Sequence, residues 1–249
     1  MKLEALWLSV SPNLARFDQR LLQHLAKGYR VGFWEYTQPL DAPCCLDPVV
    51  VLLHDFLKPR EQPVHLVSHG ISGIVAWAYA CQHPERVRSL TLLSVGANPM
   101  VTWHAHYYAL RRLLPCGRDL ILAQMARLLF GVQPPSMTAA LVERLKRDLD
   151  HGLTLHALPA LVQGPCWSTA PVAAPLLVCN GANDVIADAN DQAQWAQWLK
   201  RGDRRWVCPE GRHFFHYDYP KLVAEAIQDH WQNVASGCFT PHVRSAGRF

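Results

Sequence analysis

The amino-acid sequence predicts an α/β fold: a mostly parallel sheet of about six strands, helices on both faces, and a separate helical insertion. Three observations carry this. Short apolar runs alternate with amphipathic segments through residues 3–95, joined by links that suit neighbouring elements of a doubly wound sheet. The alternation stops between about 97 and 170, where three helix-length segments follow one another, and it resumes at 174. The stretch Val64–Ala80 runs from an apolar segment through closely spaced small residues into a second apolar segment without proline. That pattern is a strand, a tight turn and a buried helix.

The elements follow in order. Leu3–Val10 reads as a strand, and Ala15–Lys27 as an amphipathic helix with Leu21, Leu22 and Leu25 on one face and Gly28 closing it. Arg30–Tyr36 is a strand continuous enough to be buried on both faces. A loop holding Pro39, Pro43 and Pro48 leads to the helix Val49–Phe56, and Lys58–Gln62 links it to the strand at Val64. Val87–Val95 is the next buried strand. Trp103–Leu114, Arg118–Phe130 and Ser136–Asp150 read as the helices of the insertion, separated by Pro115-Cys116-Gly117 and Gly131–Pro135. Strand Ala174–Cys179, helix Asp191–Lys200, strand Arg205–Cys208 and helix Pro220–Asn233 complete the alternation, and the aperiodic tail 235–249 is expected to be loose. The organisation expected is a core of 1–96 and 171–234 around an insertion at 97–170.

Composition bounds the function. At 249 residues, 50% apolar and 18% charged, the chain suffices for one large domain with a proper core. Its net charge of +4 is mild and no Lys/Arg run exceeds two residues, which argues against nucleic acid. Eight cysteines without a CxxC pair or a Cys/His ligand spacing give no reason to expect a metal or other cofactor, and they suit a reducing compartment, so the expected location is cytoplasmic. The vicinal Cys44-Cys45 pair is the one conspicuous feature among them. The apolar stretch Ala5–Val10 is too short for a signal peptide, and no run is long enough for a membrane span.

The turn Ser68-His69-Gly70-Ile71-Ser72-Gly73 resembles the nucleophile elbow of the α/β-hydrolase family, which reads small-x-nucleophile-x-small-small between a strand and a helix. With Gly70 in the nucleophile position, the tightly packed neighbours are Ser68 and Ser72, both small. With Ser72 there, the neighbours become Gly70 and the β-branched Ile74; with Ser68 there, they become Leu66 and Gly70, and the strand is cut short. Ser72 and Ser68 remain alternative nucleophiles. The stretch His83-Pro84-Glu85-Arg86-Val87-Arg88-Ser89-Leu90-Thr91-Leu92-Leu93 is similar to the same family.

The resemblance implies the α/β-hydrolase fold and further residues. The family's triad acid lies in a Gly-x-x-Asp turn after the strand that follows the insertion, which Gly181-Ala182-Asn183-Asp184 supplies. Its triad histidine follows the last strand, seven residues before a proline that has an acid two before it; His213, Asp218 and Pro220 obey this spacing, with His216 as a neighbour. The insertion becomes a helical cap over the site, with Trp103, His104 and Tyr107, beside His106 and Tyr108, as candidate pocket residues. The oxyanion donors fall at Ile71 and around Val10. Two departures stand out: Arg212 replaces the usual Gly before the histidine, and Ser9-Val10 replaces a His-Gly pair after the first strand.

Glycine has no nucleophilic atom, and loss of the nucleophile from such a triad costs on the order of 10⁶ in turnover. Three expectations follow. The first is a non-hydrolytic protein whose pocket or surface is reused for a small apolar molecule or a protein partner. The second is an enzyme that uses the His213–Asp184 dyad as a general base, on water or in lyase or cofactor-independent oxygenase chemistry. The third is a serine ester or acyl hydrolase working through Ser72 or Ser68. Nothing in the sequence specifies an oligomeric state.

Overall fold

A computed structural model of the chain describes residues 3–39, 41, 45–153 and 171–237. The elements run β1 (Ala5–Ser9), α1 (Gln19–Leu25), β2 (Val31–Glu35), α2 (Asp47–Leu57), β3 (Val64–His69), α3 (Ile71–Gln82), β4 (Val87–Leu93), α4 (Trp103–Leu113), α5 (Arg118–Phe130), α6 (Pro135–His151), β5 (Leu176–Gly181), α7 (Ala189–Gln194), β6 (Arg204–Cys208), α8 (Phe215–Asp218) and α9 (Pro220–Ser236). The six strands form one sheet in the order β2-β1-β3-β4-β5-β6, every pair parallel.

Apolar runs explain the centre of the sheet. β1, β3, β4 and β5 are buried along almost their whole length, as strands covered on both faces must be. One face packs α2 and α3 through Val49, Leu53, Ile74, Trp77 and Leu90; the other packs α1 and α9 through Leu21, Leu25, Val67, Ile227 and Trp231. The strand Arg30–Tyr36, expected to be buried on both faces, is instead the sheet's edge as β2, with Phe33 exposed. β6 is the opposite edge.

Between β4 and β5, α4, α5 and α6 build a second core from Tyr107, Leu122, Met125, Leu129, Leu141 and Leu145, which joins Leu14, Phe17, Ile186 and Phe214 from loops beyond the strands. The helices therefore sit over the C-terminal ends of the strands. Two expected helices are shorter than their periodicity implied. The first opens as a 3₁₀ turn at Pro12–Phe17, and the helix expected over 191–200 tightens into a 3₁₀ turn at Trp195–Gln197, where the buried Trp195 indole donates to the Val95 carbonyl at 3.0 Å. Cys44 and most of the tail expected at 235–249 lie outside the described residues. Among the described residues, no helix is long and apolar enough to cross a membrane.

Candidate functional site

In an open parallel sheet the natural crevice lies beyond the carboxyl ends of the strands, where the strand order reverses. Here that point lies between β1 and β3, and it is occupied by Ser9-Val10 on one side and His69-Gly70 on the other. Gly70 joins β3 to α3 with φ 53° and ψ −128°, a backbone state that costs a side-chain-bearing residue of order 1–3 kcal/mol. A methyl built on Gly73 would run into Val95, so α3 approaches β4 more closely than any other residue would permit. These two positions make the bend sharp and lift residue 70 to its tip.

A Cβ built at Gly70 points into open space, its single close neighbour being His213 Nε2 at 3.8 Å. His213 is buried, and its Nδ1 lies 3.0 and 3.2 Å from the two carboxylate oxygens of Asp184. Asp184 Oδ1 also accepts from the backbone N–H of Ile186 (2.8 Å) and Ala187 (3.3 Å), which holds the carboxylate as the acceptor and makes His213 Nδ1 the donor of the pair. Nε2 finds no hydrogen-bond partner among the described residues. The His213 carbonyl accepts from Ser94 Oγ at 2.6 Å and from His69 Nε2–H at 2.9 Å, and Ser94 stands in left-handed backbone geometry at φ 49° to make its bond.

Neither alternative serine lies at the tip. Ser72 turns away into the sheet side, where its Oγ accepts from the Val10 N–H at 2.9 Å, so the Val10 donor is already engaged. Ser68 lies inside β3, fully buried between Leu8 of β1 and Leu92 of β4, with its hydroxyl unpartnered among the described residues. Ile71 opens α3, and its N–H is among the first-turn donors that have no acceptor within the helix. Beside the bend lies a cavity of about 20 Å³, bordered by Trp7, Asp18, Gly70, Ile71, Trp103 and Phe214, room for about one water.

The insertion meets the site through α4. Trp103 borders the cavity. His106, half-buried, is close enough to His213 and Asp184 to feel both, and burial first, then the His213 charge, lowers its pKa. His104 and Tyr107 are directed into the helical core instead: His104 Nε2 lies 3.2 Å from Asp148 Oδ2 on α6, both fully buried, and Tyr107 packs with the α5 and α6 leucines. Phe214 N–H bonds to the Leu129 carbonyl of α5 at 3.3 Å, which fastens the insertion directly beside His213.

A further carboxylate–imidazole pair, beside the first, escaped the sequence reading. Fully buried His216 Nε2 lies 3.0 Å from Asp18 Oδ1, and the Trp7 indole donates to Asp18 Oδ2 at 2.9 Å. Burial raises the Asp18 pKa, opposed by His216 and Trp7. The ring of His69 lies between the pairs, 4.5 Å from His216 and 5.0 Å from His213 between centroids, and its pKa is pushed well down by burial and by those two neighbours. Close as the three imidazoles are, no group of metal-ligating side chains among the described residues is placed to hold an ion. The spacing His213-x-x-His216 hinted at a second ring; Asp18, 198 residues from it, gave no local signal.

A family model described as "Alpha/beta hydrolase family" matches residues 7–226. The chain belongs to the α/β-hydrolase family. It is 42% identical over 230 residues to an uncharacterized protein of Nostoc sp., alr2406, covering 92% of this chain and 91% of that one, and 40% identical to the uncharacterized Synechocystis sp. protein sll0249, covering 92% and 90%. An α/β-hydrolase fold is equally evident in the superposition on an esterase from Exiguobacterium antarcticum, with TM-score 0.71 and 16% identity over 92% of each chain.

Proposed function

We propose that this α/β-hydrolase-fold protein works without covalent catalysis: Gly70 stands where the family places its nucleophile, and the fold is used to bind rather than to hydrolyse. One observation carries the reading. The space in front of His213 Nε2 is bounded by the Cα hydrogens of a glycine, and a side chain there would begin 3.8 Å from that nitrogen. The other hydroxyls lie elsewhere: Ser72 Oγ is bonded to the Val10 N–H, and Ser68 is buried within β3, short of the bend. On this reading α4–α6 act as a cap, with Trp103 and Phe214 closing over the bend. The enclosed space at the bend is about 20 Å³, while the hollow of about 530 Å³ bordered by Asp184, Asp188 and Arg212 lies open at the surface; together they support a surface for a partner more than an enclosed pocket.

A second reading rests on the unpartnered His213 Nε2. With Asp184 orienting the ring, that nitrogen is a general base on the Gly70 side of the site, 3.8 Å from where a side chain at residue 70 would begin. Hydrolysis of a short chromogenic ester separates the readings. The first expects no turnover above background from the native protein and a gain with Gly70→Ser, because the remaining groups are in place. Native turnover abolished by His213→Ala supports the second and refutes the first.

A further inference from the structure

The turn between α4 and α5 groups three exposed leucines on the surface of the insertion. Leu113 is 76% exposed, Leu114 42% and Leu120 65%, and every residue from Arg111 to Pro115 faces solvent. α4 itself carries no acidic residue: its buried face is Trp103, His104 and Tyr107, and its last turn ends on Arg111 and Arg112. The neighbouring cation Arg118 is paired with Asp150 at 2.6 Å and the acid beside Leu120, Asp119, with Lys146 at 3.5 Å, whereas among the described residues Arg111 is bonded to the Cys116 carbonyl at 2.9 Å and meets no carboxylate. The tip therefore combines leucines with net positive charge, the combination that seats a peripheral helix in an anionic interface.

We propose that this tip docks the protein on an anionic lipid surface, with Leu113, Leu114 and Leu120 entering the acyl boundary and Arg111 and Arg112 lying among the headgroup phosphates. This is independent of the fate of the nucleophile. Charge and composition favour lipid over the other occupants. Protein hot spots are built on Trp, Tyr and Arg with leucine under-represented, whereas three exposed leucines dominate this tip and its one exposed aromatic among the described residues, Tyr108, lies a helical turn before it. A second copy meeting it across a two-fold axis would bring Arg111 and Arg112 against their own equivalents. The tip stands at the far end of α4 from Trp103, roughly 16 Å along an eleven-residue helix. Docking would thus leave the Gly70 bend clear of the membrane.

Co-sedimentation of the full chain with phosphatidylcholine vesicles, with and without phosphatidylglycerol, tests this. Binding is expected only with phosphatidylglycerol and weakens with salt. Arg111→Gln and Arg112→Gln each reduce the partition coefficient about fivefold, and Leu113→Glu or Leu120→Glu reduces it more than tenfold. All four positions are solvent-exposed or nearly unpacked, so the variants keep the fold. No sedimentation with anionic vesicles, or sedimentation unchanged by these variants, overturns the proposal. So does lipid-independent dimerisation lost in Leu113→Glu, which assigns the tip to a second copy.

Discussion

Two carboxylate–imidazole pairs lie three residues apart in the chain and point at one bend, and they differ in what faces the second ring nitrogen. His213–Asp184 and His216–Asp18 have the same 3.0 Å separation and the same burial of the ring. Asp184 is held by two backbone N–H groups on its own loop, and His213 Nε2 looks out at the space over Gly70. Asp18 is held by Trp7 from β1, and its partner's Nδ1, buried like His213 Nε2, is not among the neighbours a side chain at residue 70 would meet. The first pair sets its unbonded nitrogen against the position of residue 70. The second ties the turn after β1 to α8 across 198 residues and has the features of a structural staple.

The largest expected contrast is in turnover. In a Gly70→Ser background, His213→Ala removes the gained ester hydrolysis by about 10⁴ or more, while His216→Ala leaves it within about tenfold; equal losses would abolish the distinction between the pairs. Stability runs the other way. Asp18→Ala leaves His216 and the Trp7 indole without an acceptor and is expected to cost about 3–5 kcal/mol, roughly 10 °C in Tm, read by urea unfolding and calorimetry. A loss below about 1 kcal/mol, the size of one ordinary hydrogen bond, would show that the pair is no staple.

The smallest effect concerns His69, between the two rings. Its pKa lies well below the ordinary value near 6.5, so below that pH the unfolded chain binds a proton that the folded chain refuses. Stability from this group is complete above about pH 6.5 and is lost as the pH falls, by up to about 1.4 kcal/mol per unit. Between pH 7.5 and 5.5 the native protein should therefore lose about 1 kcal/mol more than His69→Gln. Equal losses would mean that His69 is protonated in the folded state.

Much of this was legible beforehand. The small residues around Gly70, the Gly-x-x-Asp turn at Asp184 and the His213–Pro220 spacing are local patterns, because a tight bend and the loops after two strands impose constraints on adjacent residues. The six strands were legible for the same reason. What escaped is non-local. Nothing near Asp18 announces a partner at His216, and nothing near Ser72 announces that its hydroxyl binds the Val10 N–H 62 residues away. Likewise, β2 is apolar enough to read as a central strand, and only the strand order makes it an edge. His104, one turn from His106 by half, faces Asp148 rather than the site because α6 offers a buried carboxylate on that side.

Intact-mass analysis after treatment with a fluorophosphonate reaches the central claim most directly, since the reagent marks an activated serine and nothing else in such a site. The account predicts no adduct on the native protein and a single adduct on Gly70→Ser, dependent on His213. An adduct on native Ser68 or Ser72 would contradict it, for it would place a working nucleophile where a hydrogen has been read.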